Sequence, residues 1–461
     1  MLSPPPRERG HMTGRDLDEV VSTVRQRVTP SEEERRRLQR TADELISEAE
    51  AAMDDLGIEA DVIQVGSTAR GTWVSGDRDI DVFVRFDPDR PRAELERCGL
   101  EIGKRVLPDG REEYAEHPYV TGQRDGFDVD LVPCYRVESA TEIESAVDRT
   151  PFHNEYLAAR ITADVADDVR LFKQFLKGIR AYGSDLRTRG FSGYLSELLV
   201  LEYGGFEAVL DAASDWHPPV RLDPEDHGTT TFDDPLVVID PTDPERNVAA
   251  VVAAENVARL QHHARAFLAD PTESRFFAEE PDSLSKRAVR NHLERRDTTP
   301  LAVRFQPPDI VEDQLYPQLR RSLDGLHTGL DQHGFEVLRG TVLADTTAVL
   351  FVELSVASRP AVERHEGPPV HVGEHAEEFL SKYAETNAYG PFIDADRYVV
   401  ERERSVTTAR EFVEERLFEV SLGAQVETAL AEDYDVLTGA DVASLAPEFG
   451  TELARYFNPT A

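Results

Sequence analysis

The sequence predicts an α+β protein of several domains: a head built on a mixed sheet, a mostly helical middle, and a C-terminal sheet closed by helices. Three observations predict it. The chain has 461 residues, beyond the ~250–300 at which a single hydrophobic core stops growing. Its apolar pattern alternates between helix and strand periods, turns helical, then alternates again. An apolar share of 40% is enough to build a core in each part. The expected divisions are 1–158 for the head, 159–280 for the middle and 281–461 for the C-terminal region.

Thr29-Pro30-Ser31-Glu32 reads as a helix start, with an N-cap, a proline in the first turn and a capping-box glutamate. Leu38, Ala42, Leu45, Ile46, Ala49, Met53 and Leu56 keep helical spacing, and Gly57 supplies the stop. A strand at 61–65 runs into Gly66-Ser67, and a second strand spans 79–86. A helix covers about 92–106. Strands at 113–120 and 127–137 flank Asp125-Gly126, a strong hairpin signal. In the middle, helices are expected at 169–182, 193–210 and 247–268, interrupted by a polar loop at 223–234. The last part predicts a strand at 301–305, a helix at 313–333, strands at 335–344 and 348–356, a helix at 374–383 and a strand at 397–404. That order matches a ferredoxin-like or RNA-recognition-type (RRM-like) sheet.

The formal net charge is −38, from 89 acidic and 51 basic residues. Only Lys104, Lys173, Lys177, Lys286 and Lys382 are lysines, so arginine dominates the basic set. The acids are interleaved with periodic apolar residues rather than gathered in a tail. This pattern predicts a folded, halophilic protein, since at 1 M salt the Debye length falls to ~3 Å and self-repulsion is screened. Counterion release is weak for every protein in such salt. Recognition of nucleic acid then falls to shape, stacking and arginine forks, and an RNA substrate is not excluded. Cys98 and Cys134 are too few for a metal cluster or a disulfide framework. The Pro- and Arg-rich start shows no secretory signal, with Met12 an alternative initiator, and no apolar run approaches ~18 residues. No membrane association and a cytoplasmic location are expected.

Gly66-Ser67-Thr68-Ala69-Arg70, followed by Asp79-Ile80-Asp81, carries the chemistry. Residues two apart on a strand share a face, so Asp79 and Asp81 present two carboxylates while Ile80 anchors the core. Such carboxylates repel unless a cation lies between them. Mg²⁺, a hard ion that takes oxygen ligands, suits them. Gly66-Ser67 offers N–H groups and a hydroxyl to a phosphate. A neighbouring strand supplies Asp128 and Asp130, and parity alone does not choose between these two. Two metals bridging three carboxylates would activate an attacking 3′ hydroxyl and steady a triphosphate. An isolated Asp-x-Asp is more often a solvated strand edge; the glycine turn and the second acidic strand together reverse that balance.

Gly66-Ser67, Asp79-x-Asp81 and Asp130 resemble the nucleotidyltransferase superfamily that includes DNA polymerase β. Longer stretches resemble the archaeal, class I CCA-adding enzymes (tRNA nucleotidyltransferases). They are VGSTARGTW (65–73), YAEHPYV (114–120), DLVPCYRV (130–137), SAVDRTPFH (145–153), RGFSGYLSELL (189–199), ERNVAA (245–250) and PPDIVEDQLYPQL (307–319). The resemblance runs from about residue 25 onward and implies a polymerase β-like head. It selects Asp130, directly before VPCY, as the third catalytic residue. At the first catalytic position family members often carry glutamate, where this chain has Asp79. The resemblance also implies that Ser67 and Arg70, helped by His153, Lys173 and Tyr182, hold the triphosphate. Arg246 would read the incoming base together with phosphates of bound tRNA. Taken alone, Lys173 and Tyr182 also suit a helix surface and a packed aromatic, and Arg246 a salt bridge to Asp243 or Glu245. His117 suits a packed core position. GFSGYLSE suits either a helix cap or a surface meeting the nucleotide.

The activity implied is template-free addition of C, C and A to tRNA from CTP and ATP, with Mg²⁺ as cofactor and pyrophosphate released. The C-terminal region would hold the acceptor stem and TψC arm, and a homodimer is compatible with the sequence. Poly(A) polymerases and oligoadenylate synthases share the head motifs but take ATP only. An inactive RNA-binding protein on the same fold is opposed by three intact carboxylates. The Arg-Arg-x-Asp template motif of class II CCA enzymes is missing, because Arg295-Arg296-Asp297 has the wrong spacing.

Overall fold

The computed structural model describes residues 14–114, 117–140 and 142–461. The chain start with Met12, and residues 115–116 of the strand expected at 113–120, lie outside the described residues. The chain divides into two compact units, one running to Glu279 and the other spanning Glu280–Thr460.

The first unit opens with α1 (Gly14–Val28) and α2 (Glu32–Leu56). Ser31, rather than Thr29, caps α2. Its hydroxyl accepts from Glu34 N–H, while the Glu34 carboxylate accepts from Ser31 N–H at 2.7 Å. Pro30 therefore precedes the cap instead of sitting in the first turn. Next come β1 (Ala60–Val65), α3 (Gly66–Arg70), β2 (Asp79–Phe86), α4 (Arg92–Val106), β3 (Arg111–Tyr114), β4 (Pro118–Arg124) and β5 (Phe127–Tyr135). The sheet order is β1-β2-β5-β4-β3, with β2 and β5 parallel and every other pair antiparallel. Asp125 and Gly126 turn β4 into β5 at φ 51° and 78°, the left-handed pair that a tight hairpin needs. Leu38, Ala42 and Leu45 of α2 and Ile102 of α4 pack with Ile80, Val82, Val84, Val129 and Leu131 in one core.

A second core in the same unit gathers α5 (Thr150–Ala158), α6 (Ala163–Gly178), α7 (Gly193–Tyr203), α8 (Phe206–Ser214), β6 (Val220–Leu222), β7 (Leu236–Asp240), β8 (Asp243–Asn247) and α9 (Ala254–Ala269). Phe175, Phe206, Phe267 and Phe276 meet at its centre, mostly edge to face. Val21, Val24 and Val28 place α1 in this core, although the sequence division at 158 assigns that helix to the head. The helix expected over 193–210 breaks at Gly204 and Gly205, whose φ angles of 84° and 137° no helix contains. A Cβ at Gly205 would also come within 2.7 Å of Asp168 Oδ2. The helix expected from 247 begins only at Ala254. Before it stands the β7–β8 pair, because Leu236-Val237-Val238-Ile239 is a fully buried, mostly β-branched run that favours a strand.

The second unit contains α10 (Lys286–Arg296), β9 (Thr299–Phe305), α11 (Glu312–Gln332), β10 (Val337–Ala344), β11 (Ala348–Leu354), β12 (Val362–Pro369), α12 (Gly373–Tyr383), β13 (Tyr389–Asp394), β14 (Arg397–Glu403), α13 (Ala409–Arg416), α14 (Ala424–Glu432), β15 (Tyr434–Thr438) and α15 (Ala446–Phe457). Its main sheet is antiparallel, in the order β10-β11-β9-β15, which is the ferredoxin-like arrangement. The fourth strand is not the one expected. Arg397–Glu403 pairs with β12 and β13 in a separate three-stranded sheet, and Tyr434–Thr438 takes the place beside β9. β14 carries charge at Arg397, Glu401, Arg402 and Glu403, whereas Tyr434 and Val436 of β15 pack on the apolar core. Among the described residues no helix is long and apolar enough to cross a membrane.

Candidate active site

Strand alternation sets the parity of the acidic face. Ile80 and Val82 of β2, and Val129 and Leu131 of β5, are buried in the sheet core. Each such side chain contributes about 1.5–3 kcal/mol on burial, which fixes Asp79, Asp81, Asp128 and Asp130 on the opposite face. Because β2 and β5 run parallel, Asp79 lies in register with Asp128, and Asp81 with Asp130. Neighbouring strands are about 4.8 Å apart, so these charges interact. Burial, then Asp130 and Asp79, push the Asp81 carboxyl up to about 7, with Arg70 opposing. Burial raises Asp79 as well, reinforced by Asp77, Asp128 and Asp130. Asp130 is raised by burial against a Thr121 hydrogen bond. Asp128 is exposed and accepts from Gln123 Nε2 at 2.8 Å.

Gly66 follows β1 and opens α3 against this row. Its φ is 81°, and a Cβ there would stand 2.1 Å from Asp81 Oδ2. Only a residue without a side chain lets the backbone pass so close to the carboxylate. Ser67 lies in the first turn of α3, and Arg70 ends that helix.

A buried carboxylate, Glu197 of α7, organises the cations beside the row. Arg70 reaches Glu197 Oε2 through Nε at 3.0 Å and Nη2 at 2.8 Å, and reaches Asn154 Oδ1 through Nη1 at 2.7 Å. Lys173 Nζ lies 2.8 Å from Glu197 Oε1 and 3.3 Å from both the carbonyl and the hydroxyl of Thr72. The Thr72 hydroxyl also donates to Glu197. Burial alone would raise the Glu197 carboxyl, but Lys173 and Arg70 hold it below the usual carboxylate range. Lys173 is not on an exposed helix surface. Its ammonium is buried and has protein acceptors for all three N–H bonds, so in this structure it acts through Glu197 and Thr72. Tyr182 stands alongside: a Cβ on Gly193 would lie 3.2 Å from the Tyr182 hydroxyl and 3.7 Å from Lys173 Nζ. Burial raises the Tyr182 phenol, followed by the charges of Asp77, Glu197 and Asp79. GFSGYLSE includes a helix cap, since Ser192 caps α7 by accepting from Leu195 N–H at 3.0 Å.

A second buried carboxylate, Asp240 at the end of β7, gathers the remaining groups. His153 Nε2 and Arg246 Nη1 each lie 2.7 Å from Asp240 Oδ2. Tyr194 Oη lies 3.2 Å from Oδ1, which also accepts from Thr242 N–H at 3.0 Å and from its hydroxyl at 2.8 Å. The His153 ring stacks on Tyr194, with centroids 3.9 Å apart. Burial alone would raise the Asp240 carboxyl, yet His153, Thr242 and Arg246 hold it well below the carboxylate range. Burial lowers His153, opposed by its hydrogen bond to Asp240. Arg246 pairs with neither of the acids beside it in sequence; Asp243 is taken by Arg149 at 3.0 Å. His117 is buried, with Nδ1 3.4 Å from Glu96.

Three family models match successive parts of the chain: "Nucleotidyltransferase domain" over 46–153, "tRNA nucleotidyltransferase, second domain" over 167–278, and "CCA-adding enzyme, C-terminal domain" over 296–439. The CCA-adding enzyme of Haloarcula marismortui is 58% identical, covering 96% of this chain and 99% of its own. That of Halobacterium salinarum is 61% identical over 97% and 100% of the two chains. The chain belongs to the CCA-adding enzyme family. A more distant CCA-adding enzyme, from Methanosarcina mazei, is 42% identical over 93% of this chain.

Divalent metal use is general among nucleotidyltransferases, and the donor set of this chain fits it. Among the described residues no three His, Cys, Asp or Glu side chains close into a compact ligand cage. Asp79, Asp81 and Asp130 form instead an open row of hard oxygen donors that resist ionising together. Such a row suits cations that keep part of their shell for substrate oxygens. The row, the glycine and the cations expected from the sequence lie where described above, and Glu197 and Asp240, which hold those cations, were not among the residues expected. Glu197 lay inside the quoted RGFSGYLSELL stretch. Asp240 follows an apolar run whose β-branched content marks a short buried strand.

Proposed function

We propose that this chain restores the 3′ end of tRNA by adding C, C and then A from CTP and ATP, without a nucleic-acid template. The observation that carries the proposal is the row of Asp79, Asp81 and Asp130 against Gly66. The tRNA 3′ oxygen attacks the α-phosphorus of the bound nucleotide; the bond to the β-phosphate oxygen breaks, and pyrophosphate leaves with the proton released to solvent. Asp79, Asp81 and Asp130 would hold Mg²⁺, which when bound lowers the pKa of the attacking hydroxyl and neutralises the leaving pyrophosphate. Gly66 and Ser67 bring backbone N–H groups and a hydroxyl to the triphosphate. Arg70, braced by Glu197 and Asn154, supplies a fixed cation, and Lys173 and Tyr182 shape the wall behind it. His153 helps to hold the triphosphate, and the Arg246 fork reads acceptors common to C and A alongside tRNA phosphates.

The acceptor stem and TψC arm are assigned to the C-terminal region. The divisions are kept at 1–158, 159–280 and 281–461, with α1 recognised as packing on the central helices. The protein is placed in the cytoplasm, as a homodimer, a state that sedimentation in molar KCl tests. The central experiment gives the purified chain tRNA lacking its 3′ end, in molar KCl with Mg²⁺, and supplies CTP, ATP or both. Addition of C, C and A is expected, and is lost in Asp81→Ala and Asp130→Ala while tRNA binding persists. Long tails from ATP alone would overturn the proposal, as would substantial transfer by either variant.

A further inference from the structure

Asp240 is fully buried, and all five of its contacts come from donors: His153 Nε2, Arg246 Nη1, Tyr194 Oη, Thr242 N–H and the Thr242 hydroxyl. The carboxylate thus accepts from Thr242 and Tyr194 at Oδ1 and from His153 and Arg246 at Oδ2. Oδ1 locks the carboxylate plane through Thr242, two residues on, and through Tyr194 of α7. Oδ2 then fixes His153 of α5 and Arg246 of β8 at the same distance of 2.7 Å. The His153 ring is also held on one face, where Tyr194 stacks on it at 3.9 Å. Arg246 is held by one end of its guanidinium while its side chain stays 34% exposed. Tethering one nitrogen narrows the positions open to the rest of the fork and leaves its other N–H groups free to meet a ligand.

We infer that Asp240 is a specificity-determining positioning residue: it presents Arg246 to the incoming base in one orientation, with His153 held on the same carboxylate oxygen, without touching the nucleotide itself. The inference rests on the reading of Arg246 given above. An isosteric amide cannot do the same work. Every partner of Asp240 donates, so an NH₂ group must face a donor at Oδ1 or Oδ2, and either placement releases the Thr242 lock or the Arg246 tether. The base would still enter, but the donors that sort C from U would no longer be fixed.

The test is single-nucleotide incorporation by the full chain on tRNA lacking its 3′ end, comparing kcat/KM for CTP with that for UTP. Asp240→Asn is expected to lower this discrimination about tenfold, the scale of a lost charge-assisted partner, on top of any loss of rate shared by the two nucleotides. In an Arg246→Ala background, the same substitution should add nothing further to the loss of discrimination, because both act through one group. A residue that merely supports the fold would lower the rates with all nucleotides alike and would add its effect in both backgrounds. Either of those results overturns the inference while leaving Arg246 in place. If Arg246→Ala leaves discrimination intact, the reading of Arg246 falls and this inference with it. Thr242→Val, which removes one donor from Oδ1 and keeps the charge, serves if Asp240→Asn does not fold; it should shift discrimination in the same direction by a smaller factor, and an unchanged ratio counts against the inference.

Discussion

Replacing Gly66 with alanine tests the site through a single methyl group. A Cβ there would sit 2.1 Å from Asp81 Oδ2, and real Cβ atoms essentially never come within 3.0 Å of a neighbour. The carboxylate oxygen must therefore retreat by close to 1 Å. Asp81 is a short, largely buried side chain at the end of a register-locked strand, so that retreat moves a metal-facing oxygen directly. Misplacement of this size costs on the order of 10²-fold in rate. The backbone adds a smaller penalty, since φ at this position is 81° and the left-handed region costs an L-residue about 1–2 kcal/mol. Single-turnover transfer of CMP to tRNA lacking its 3′ end, at saturating CTP and Mg²⁺, reads the first effect; thermal unfolding reads the second. Binding of tRNA, measured by gel shift in the same salt, should be unchanged. A folded Gly66→Ala variant transferring CMP at the wild-type rate would refute the placement of Asp81 at the chemical centre.

Three further outcomes are expected. The Asp81 carboxyl is pushed from 3.8 up to about 7 in the metal-free fold, so between those values the folded chain binds more protons than the unfolded one, and stability falls as pH rises through that window. Thermal unfolding in EDTA should show this slope in the wild type but less of it in Asp81→Asn, with Mg²⁺ flattening it; identical slopes would contradict it. Glu197→Gln leaves Lys173 and Arg70 buried without their anion, at a cost of about 3–5 kcal/mol. Denaturant unfolding measures that loss, and the pair Lys173→Met with Glu197→Leu should recover much of the Lys173 share; a wild-type midpoint in Glu197→Gln would refute the anchoring role. With a net charge of −38, the unfolding temperature should climb as KCl rises from ~0.1 M to ~1 M and the Debye length shrinks from ~10 to ~3 Å. A flat response would show that screening does not govern this fold.

The acidic row was legible because it depends on parity and on one turn. Alternation on β2 and β5, with Ile80 and Val129 on the buried face, is local and periodic, and the Asp125-Gly126 turn sets the antiparallel partner. Choosing Asp130 over Asp128 was not a matter of parity and came from the family resemblance; in the fold, Asp130 is the one half-buried in register with Asp81, while Asp128 faces solvent. The carboxylates behind the cations were not legible. Glu197 and Asp240 act over sequence distances that no spacing rule spans: Arg70 to Glu197 is 127 positions, and His153 to Asp240 is 87. The β7–β8 pair was hidden for another reason, because a five-residue buried strand has too few residues to show a period. The helix read through Gly204 and Gly205 failed because its apolar spacing continues across the break, and only the two glycines signal it.

The sheet of the second unit takes its fourth strand from near the end of the chain, and this bears on how the protein is made. Arg304 of β9 and its partner Asp435 of β15 are 131 positions apart, so a growing polypeptide offers β9 one neighbour long before the other is synthesised. During that interval one rim of β9 exposes a ladder of unpaired amide and carbonyl groups, which is the template on which strands of other molecules add. Nascent chains stalled before Tyr434 would therefore tend to clump, and slow closure of this long loop would set the pace at which the unit matures.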